Sequence, residues 1–245
     1  MNTKEIKNLV KTHVDITDKE LDDLDRETNF EGVLTKRKPK TIITKYNTTN
    51  NINEYGYRSD SFDGDTDGFM FLGCSLTGGV GLEEHETWPW MVGKHFDVRV
   101  WNLSQDGRGD DLCFMNAVRW IPKLKPKVVS VLLPTTGRFQ FFDYDNDKLS
   151  NEFYIYNLPK KPKFPWLYNS KHLYLSALKN VMGIKLICDE YNIPFIVESS
   201  TEILDLTIWP DKARDDKHPG PKWQKIVSNL YIERIENIFD FEKQV

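Results

Sequence analysis

At 245 residues, 39% hydrophobic and 29% charged, the chain can bury one sizeable core plus a small extension. Its net charge of -4 excludes an overall basic field that would draw it onto nucleic acid or an anionic membrane. No apolar run approaches the roughly 18 residues of a membrane helix, and MNTKEIKNLV lacks the apolar centre of a signal peptide, so a cytoplasmic location is expected.

Thr17 and Glu20 form a capping-box pair that predicts a short acidic helix running through Leu21 and Leu24. Lys36, Arg37, Lys38 and Lys40 make one local basic run, and Lys160, Lys161 and Lys163 make another. Each is broken by proline and reads as a solvated loop. The stretch NTTNNINEYGYRSDSFDGDTDG offers little to fill a core and is expected to cross the surface until Gly68. This places an N-terminal extension over residues 1–65 and the main domain over 66–245.

From Gly68 onward, short apolar runs alternate with helical patterns. Strands are predicted at Phe69–Gly73, Val98–Leu103, Val128–Leu133 and Phe195–Glu198. The clearest helix spans about Lys171–Tyr191, where Tyr174, Leu178, Val181, Ile184, Cys188 and Tyr191 recur at intervals of three or four, and Asn192 and Pro194 stop it. The alternation predicts an α/β fold with a parallel sheet covered on both faces. Right-handed crossovers then bring all strand C-termini to one crevice.

Residues able to do chemistry collect at those strand ends. Ser75 follows the first strand, Gly107 the second, Thr135 and Thr136 the third, while Glu198 and Ser199 end the fourth. Asp215 and His218, in ARDDKHPGP, precede the last helix. In D-x-x-H the carboxylate and imidazole share one turn, so the first can orient the second. A serine hydroxyl is a poor nucleophile at neutral pH and needs such a base, and an imidazole titrating at about 6.5 suits the task. Free N–H groups where a strand turns into a helix can bind a forming oxyanion, and Gly78, Gly79 and Gly81 permit close approach of the backbone.

Other candidates carry competing readings. Cys74, Cys113 and Cys188 lack metal-ligand spacing and read as reduced, mostly buried thiols, although Cys74 adjoins Ser75 as an alternative nucleophile. His13, His95 and His172 read as surface residues, and His85 either reaches the crevice or is exposed. Asp215, Asp216 and His218 have no second histidine or cysteine pair to complete a metal set, so no metal is expected. Residues 139–168 hold ten aromatics, Trp166 and Tyr168 among them, within an insertion over 139–170. It reads either as a lid or sugar-stacking wall over the crevice or as a small core anchoring a long loop.

Three stretches resemble a known family. FLGCSLTGGVG, WNLSQDGRG and ARDDKHPGP are similar to the first, second and last blocks of the SGNH (GDSL-type) hydrolases, over about residues 66–235, and NEYGYRSDSF is similar to a prelude some members carry. The resemblance implies a three-layer α/β/α sandwich on a flavodoxin-like, five-stranded parallel sheet. It implies Ser75 as nucleophile, His218 as general base and Asp215 as the residue that orients it. Asn102 followed by Gly107 has the family spacing, which implies oxyanion donors at Ser75 and Gly107, with Gly109 as fallback.

Two positions depart from the family pattern. Cys74 stands where an aspartate is usual, and VLLPTTGRFQ stands where an asparagine is usual, leaving Thr135, Thr136 or Arg138 as substitutes. The expected function is a serine esterase acting on short acyl or acetylated saccharide esters through an acyl-Ser75 intermediate. Arg138, Trp166 and Tyr168 are its candidate substrate contacts, and no cofactor, nucleic acid or membrane partner is expected. The alternative, motivated by the altered third block, is a binding or structural module that retains the fold with a degenerate oxyanion hole.

Overall fold

The computed structural model describes residues 36–64, 67–135, 138–143, 148–153, 170–199 and 209–242. It opens with an antiparallel hairpin of β1 (Lys40–Ile43) and β2 (Thr49–Ile52), followed by β3 (Gly68–Leu72), a one-turn helix α1 (Ser75–Gly78), α2 (Trp88–Phe96) and β4 (Arg99–Asn102). Then come α3 (Asp110–Leu124), β5 (Val128–Leu133), a second two-stranded sheet of β6 (Arg138–Asp143) and β7 (Lys148–Phe153), α4 (Ser170–Glu190), β8 (Phe195–Ser199) and α5 (Pro221–Glu242). Phe141–Asp143 and Lys148–Ser150 belong to a unit separate from the one that holds the central sheet. Among the described residues no helix is long and apolar enough to cross a membrane.

The central sheet is parallel throughout, in the order β4-β3-β5-β8. All five residues of β3 are buried, which requires cover on both faces and explains its unbroken apolar run. Phe69 and Phe71 face a core completed by Trp88 and Val92 of α2 and by Trp223, Val227, Tyr231 and Ile235 of α5. Within it the Trp88 and Tyr231 rings stack at 4.3 Å, and Phe71 meets Trp88 edge-on at 5.1 Å. Each such buried side chain contributes about 1.5–3 kcal/mol. On the alternate face α3 and α4 pack together and bury Cys113, Ala117, Ile121, Ile184 and Cys188.

The chain therefore forms the α/β sandwich expected, with strands where the apolar runs predict them. The described residues supply four strands of the five that the resemblance implies. Two local expectations fail. Of the predicted row on α4, Ile184 and Cys188 are buried, whereas Tyr174 and Leu178 are 64% and 40% exposed and Asn180 is buried in their place. The cause is polar: Asn180 Nδ2 donates to Asp110 Oδ2 at 3.0 Å and Asp111 Oδ1 at 2.8 Å, which fixes the helix rotation.

Residues 53–62 do not skim the surface. Tyr57 and Phe62 are buried against α3, with Phe62 and Trp120 rings 4.5 Å apart and Tyr57 Oη donating to Asn116 at 2.9 Å. The polar neighbours serve the backbone: Asn53 Oδ1 accepts from the N–H of Tyr55 and Tyr57, and Glu54 from that of Phe62. Ser59 and Asp60 hydrogen-bond along the outer edge of β4, where Val100 N–H donates to Asp60 Oδ2 at 2.7 Å and Asn102 N–H to Ser59 Oγ at 3.1 Å.

The strand order sets the position of the site. The chain leaves β3 for β4 on one side, then returns to β5 on the other, so the order of strand addition reverses beside β3. A crevice opens outside the strand C-termini at such a point, and Ser75 lies just past the end of β3.

Candidate active site

Ser75 is the first residue of α1 and is buried. The bend that delivers it requires Gly73, where a Cβ would lie 2.1 Å from Thr77 Oγ1 and 3.0 Å from the Leu132 carbonyl. Thr77 and Gly78 N–H donate to the Cys74 carbonyl at 3.0 and 2.8 Å, which closes the turn. The N–H groups of Ser75 and Leu76, in the first turn of α1, precede any intrahelical acceptor. Gly79 then takes the left-handed conformation, with φ of 70°, and ends the helix.

Four successive carbonyls of this bend are each met by a side chain from elsewhere. Gln224 Nε2 donates to Leu76 O at 3.0 Å and Asn102 Nδ2 to Thr77 O at 3.1 Å, while Arg58 Nη1 donates to both Gly78 O and Gly79 O at 3.1 Å. Arg58 Nη2 adds Leu82 O at 2.8 Å. Burial lowers the Arg58 pKa, opposed by Glu84, Glu83 and Glu86. An arginine stays protonated regardless, so the bend ends on a fixed cation. The sequence assigns no role to Arg58, although it lies in the NEYGYRSDSF stretch, and no local pattern marks Gln224.

The second half of the site is a closed loop ahead of α5. The Asp211 carboxylate accepts from Lys222 and Trp223 N–H at 2.9 and 3.3 Å, capping α5, while Gly220 N–H donates to Asp211 O and Ala213 N–H to His218 O. Inside the loop Asp215 Oδ2 meets His218 Nδ1 at 2.5 Å, and Asp215 Oδ1 accepts from Lys217 and His218 N–H at 3.2 and 3.1 Å. Burial pushes the Asp215 carboxyl upward, but the bonds from His218 and Lys217 outweigh it and hold the group below the usual carboxylate range. With Nδ1 engaged, the imidazole presents Nε2 as its remaining base.

The two halves touch at Gly81. Its φ is 75°, and a Cβ there would fall 2.9 Å from Asp215 N, so only glycine lets the loops approach this closely. Arg214 N–H donates to Gly81 O at 3.1 Å. Arg214 also forms a forked ion pair with Glu86, at 2.5 and 3.0 Å, and Glu86 accepts the Glu83 N–H at 2.8 Å. Ser75 Oγ itself contacts Cys74 Sγ at 4.0 Å, and among the described residues no hydrogen bond joins it to His218.

The remaining candidates are distributed as follows. Gly107 sits in the turn after β4 with φ of 71°, and Gly109 caps the N-terminus of α3. Arg138 Nη1 donates to the Arg108 carbonyl at 3.4 Å, next to both glycines. Thr135 is exposed, while Thr136, Trp166 and Tyr168 lie outside the described residues, as do Thr17, Glu20 and His13. Cys74, Cys113 and Cys188 are free and buried, and burial pushes the Cys188 thiol up to about 12 and Cys113 well above its ordinary value. His85 is exposed and meets Trp90 edge-on, and His95 pairs with Glu236 at 2.9 Å on the surface.

The chain matches no protein-family model and no curated protein. Its similarity is to solved structures. One is a carbohydrate esterase whose active site displays divergent catalytic and non-catalytic binding functions, at TM-score 0.47 and 15% identity over 71% of this chain and 66% of that one. Another is an acetyl xylan esterase from the rumen bacterium Butyrivibrio proteoclasticus, at TM-score 0.46 and 13% identity over 73% of this chain and 66% of that one. A third is a GDSL-like lipase from Bacteroides thetaiotaomicron, at TM-score 0.36 and 16% identity over 71% and 89% of the two chains. The chain spans just under two thirds of the length of the first two.

Proposed function

We propose that the protein is a serine ester hydrolase acting by acyl transfer, with Ser75 as nucleophile, His218 as general base and Asp215 as its orienting carboxylate. The docking of the Asp215–His218 loop on Gly81, just past the Ser75 bend, is the observation that supports this most. In the reaction Ser75 Oγ attacks the acyl carbon while its proton passes to His218 Nε2. The tetrahedral oxyanion is held by N–H groups of Ser75 and Gly107, with Gly109 or a side chain after β5 as a further donor. Collapse expels the alcohol, which takes the proton back from His218, and leaves acyl-Ser75. Water repeats the sequence, with its proton going to His218, and releases the acid. Short acyl and acetylated saccharide esters are the proposed substrates, and the reaction needs no cofactor.

One observation favours a second reading. Ser75 Oγ is engaged with Cys74 rather than His218, which suits a binding module that retains the fold without turnover. Labelling with a fluorophosphonate and turnover of a chromogenic acetate ester, each compared with Ser75→Ala and His218→Ala, separate the two. Labelling and turnover lost in both variants support the hydrolase. Equal labelling of all three proteins, or no turnover by any, supports the module.

A further inference from the structure

Arg108 lies between Gly107 and Gly109 and is only partly exposed. Among the described residues its guanidinium has no hydrogen-bond or ion-pair partner. Burial lowers its pKa and Asp106, which is exposed, only partly opposes that. The two carboxylates that follow in the chain, Asp110 and Asp111, accept from Asn180. A second guanidinium is held at the same turn: Arg138 Nη1 reaches the Arg108 carbonyl, and a Cβ on Gly109 would stand 2.2 Å from Arg138 O.

A partly exposed guanidinium with no acceptor in the fold is open to a ligand anion. The planar guanidinium matches a carboxylate through two parallel bonds. We propose that Arg108, backed by Arg138, forms an anion subsite beside the oxyanion donors, so that the preferred substrate carries a carboxylate near the ester, as an O-acetylated uronic acid does. The subsite's place in catalysis rests on the hydrolase reading; its affinity for a carboxylate does not.

The test therefore has a binding arm and a turnover arm. Titration of the protein with methyl galacturonoside and with neutral methyl galactoside is expected to show about tenfold tighter binding of the acid, near 1.4 kcal/mol, with the preference lost in Arg108→Gln and kept in part by Arg108→Lys. Added salt should shrink it. In turnover, the ratio of kcat/KM for the acetylated uronoside to that for the acetylated galactoside should fall about tenfold in Arg108→Gln, mainly through KM. Equal binding of the two glycosides by the wild type, no binding of either at about 10 mM, or a preference that Arg108→Gln leaves intact overturns the subsite. Charge-dependent binding without turnover keeps the subsite and refutes the hydrolase. Turnover without charge preference does the reverse.

Discussion

Arg214 and Glu86 share two hydrogen bonds, and this pair fastens the loop bearing Asp215 to the turn that follows the Ser75 bend. The Arg214 bond, ahead of an opposing burial effect, holds the Glu86 carboxyl below its ordinary value. A carboxyl depressed in the folded state contributes stability above its unfolded pKa, and that contribution is lost as pH falls through the folded value. Glu86→Gln should therefore lower stability at pH 7 by about 0.5–1 kcal/mol, the small figure reflecting how exposed Arg214 is. The gap from wild type should close as pH drops below about 4. Urea denaturation of both proteins at pH 7 and 3.5 checks the sign.

Gln224 joins α5 to the bend and to the start of α2, donating to Leu76 O and accepting Trp88 N–H at 2.9 Å, while being 1% exposed. Gln224→Leu leaves both backbone groups buried without a partner, at about 1–3 kcal/mol each. A loss of about 2–4 kcal/mol in chemical denaturation is expected. Gln224→Glu keeps the acceptor and should retain the order of α2 better than Gln224→Leu.

Asp215→Asn removes the acceptor that fixes the imidazole proton on Nδ1. On the proposed mechanism kcat should fall by about 10³–10⁴ with KM little changed, and single-turnover kinetics should place the loss in acylation. Retained folding by circular dichroism with retained turnover would remove Asp215 from the mechanism.

Arg58→Met takes the donor from Gly78, Gly79 and Leu82 carbonyls in one step. The bend should loosen, which a fluorophosphonate labelling rate reads directly. A fall of about tenfold or more is expected, larger than for Arg58→Lys, whose single ammonium still reaches part of the set.

What the sequence made legible was local. Phe69–Leu72 and Val128–Leu133 are apolar runs bounded by turn residues, and Asp215 and His218 sit three apart, so both strands and the Asp215–His218 contact follow from near-neighbour patterns. Arg58, Asn180 and Gln224 do their work across the fold, on backbone or side-chain groups far away in sequence, where no local pattern reveals the partner. The same blindness misplaced Tyr57 and Phe62, because their polar neighbours point inward to satisfy main-chain donors.

Ser59 and Asp60 occupy hydrogen-bonding groups along β4, the outermost strand of the described sheet. An unpaired strand margin is a template for another molecule's backbone. A shortened chain that starts after Asp67 would bare that margin, and self-association growing with protein concentration is its expected fault.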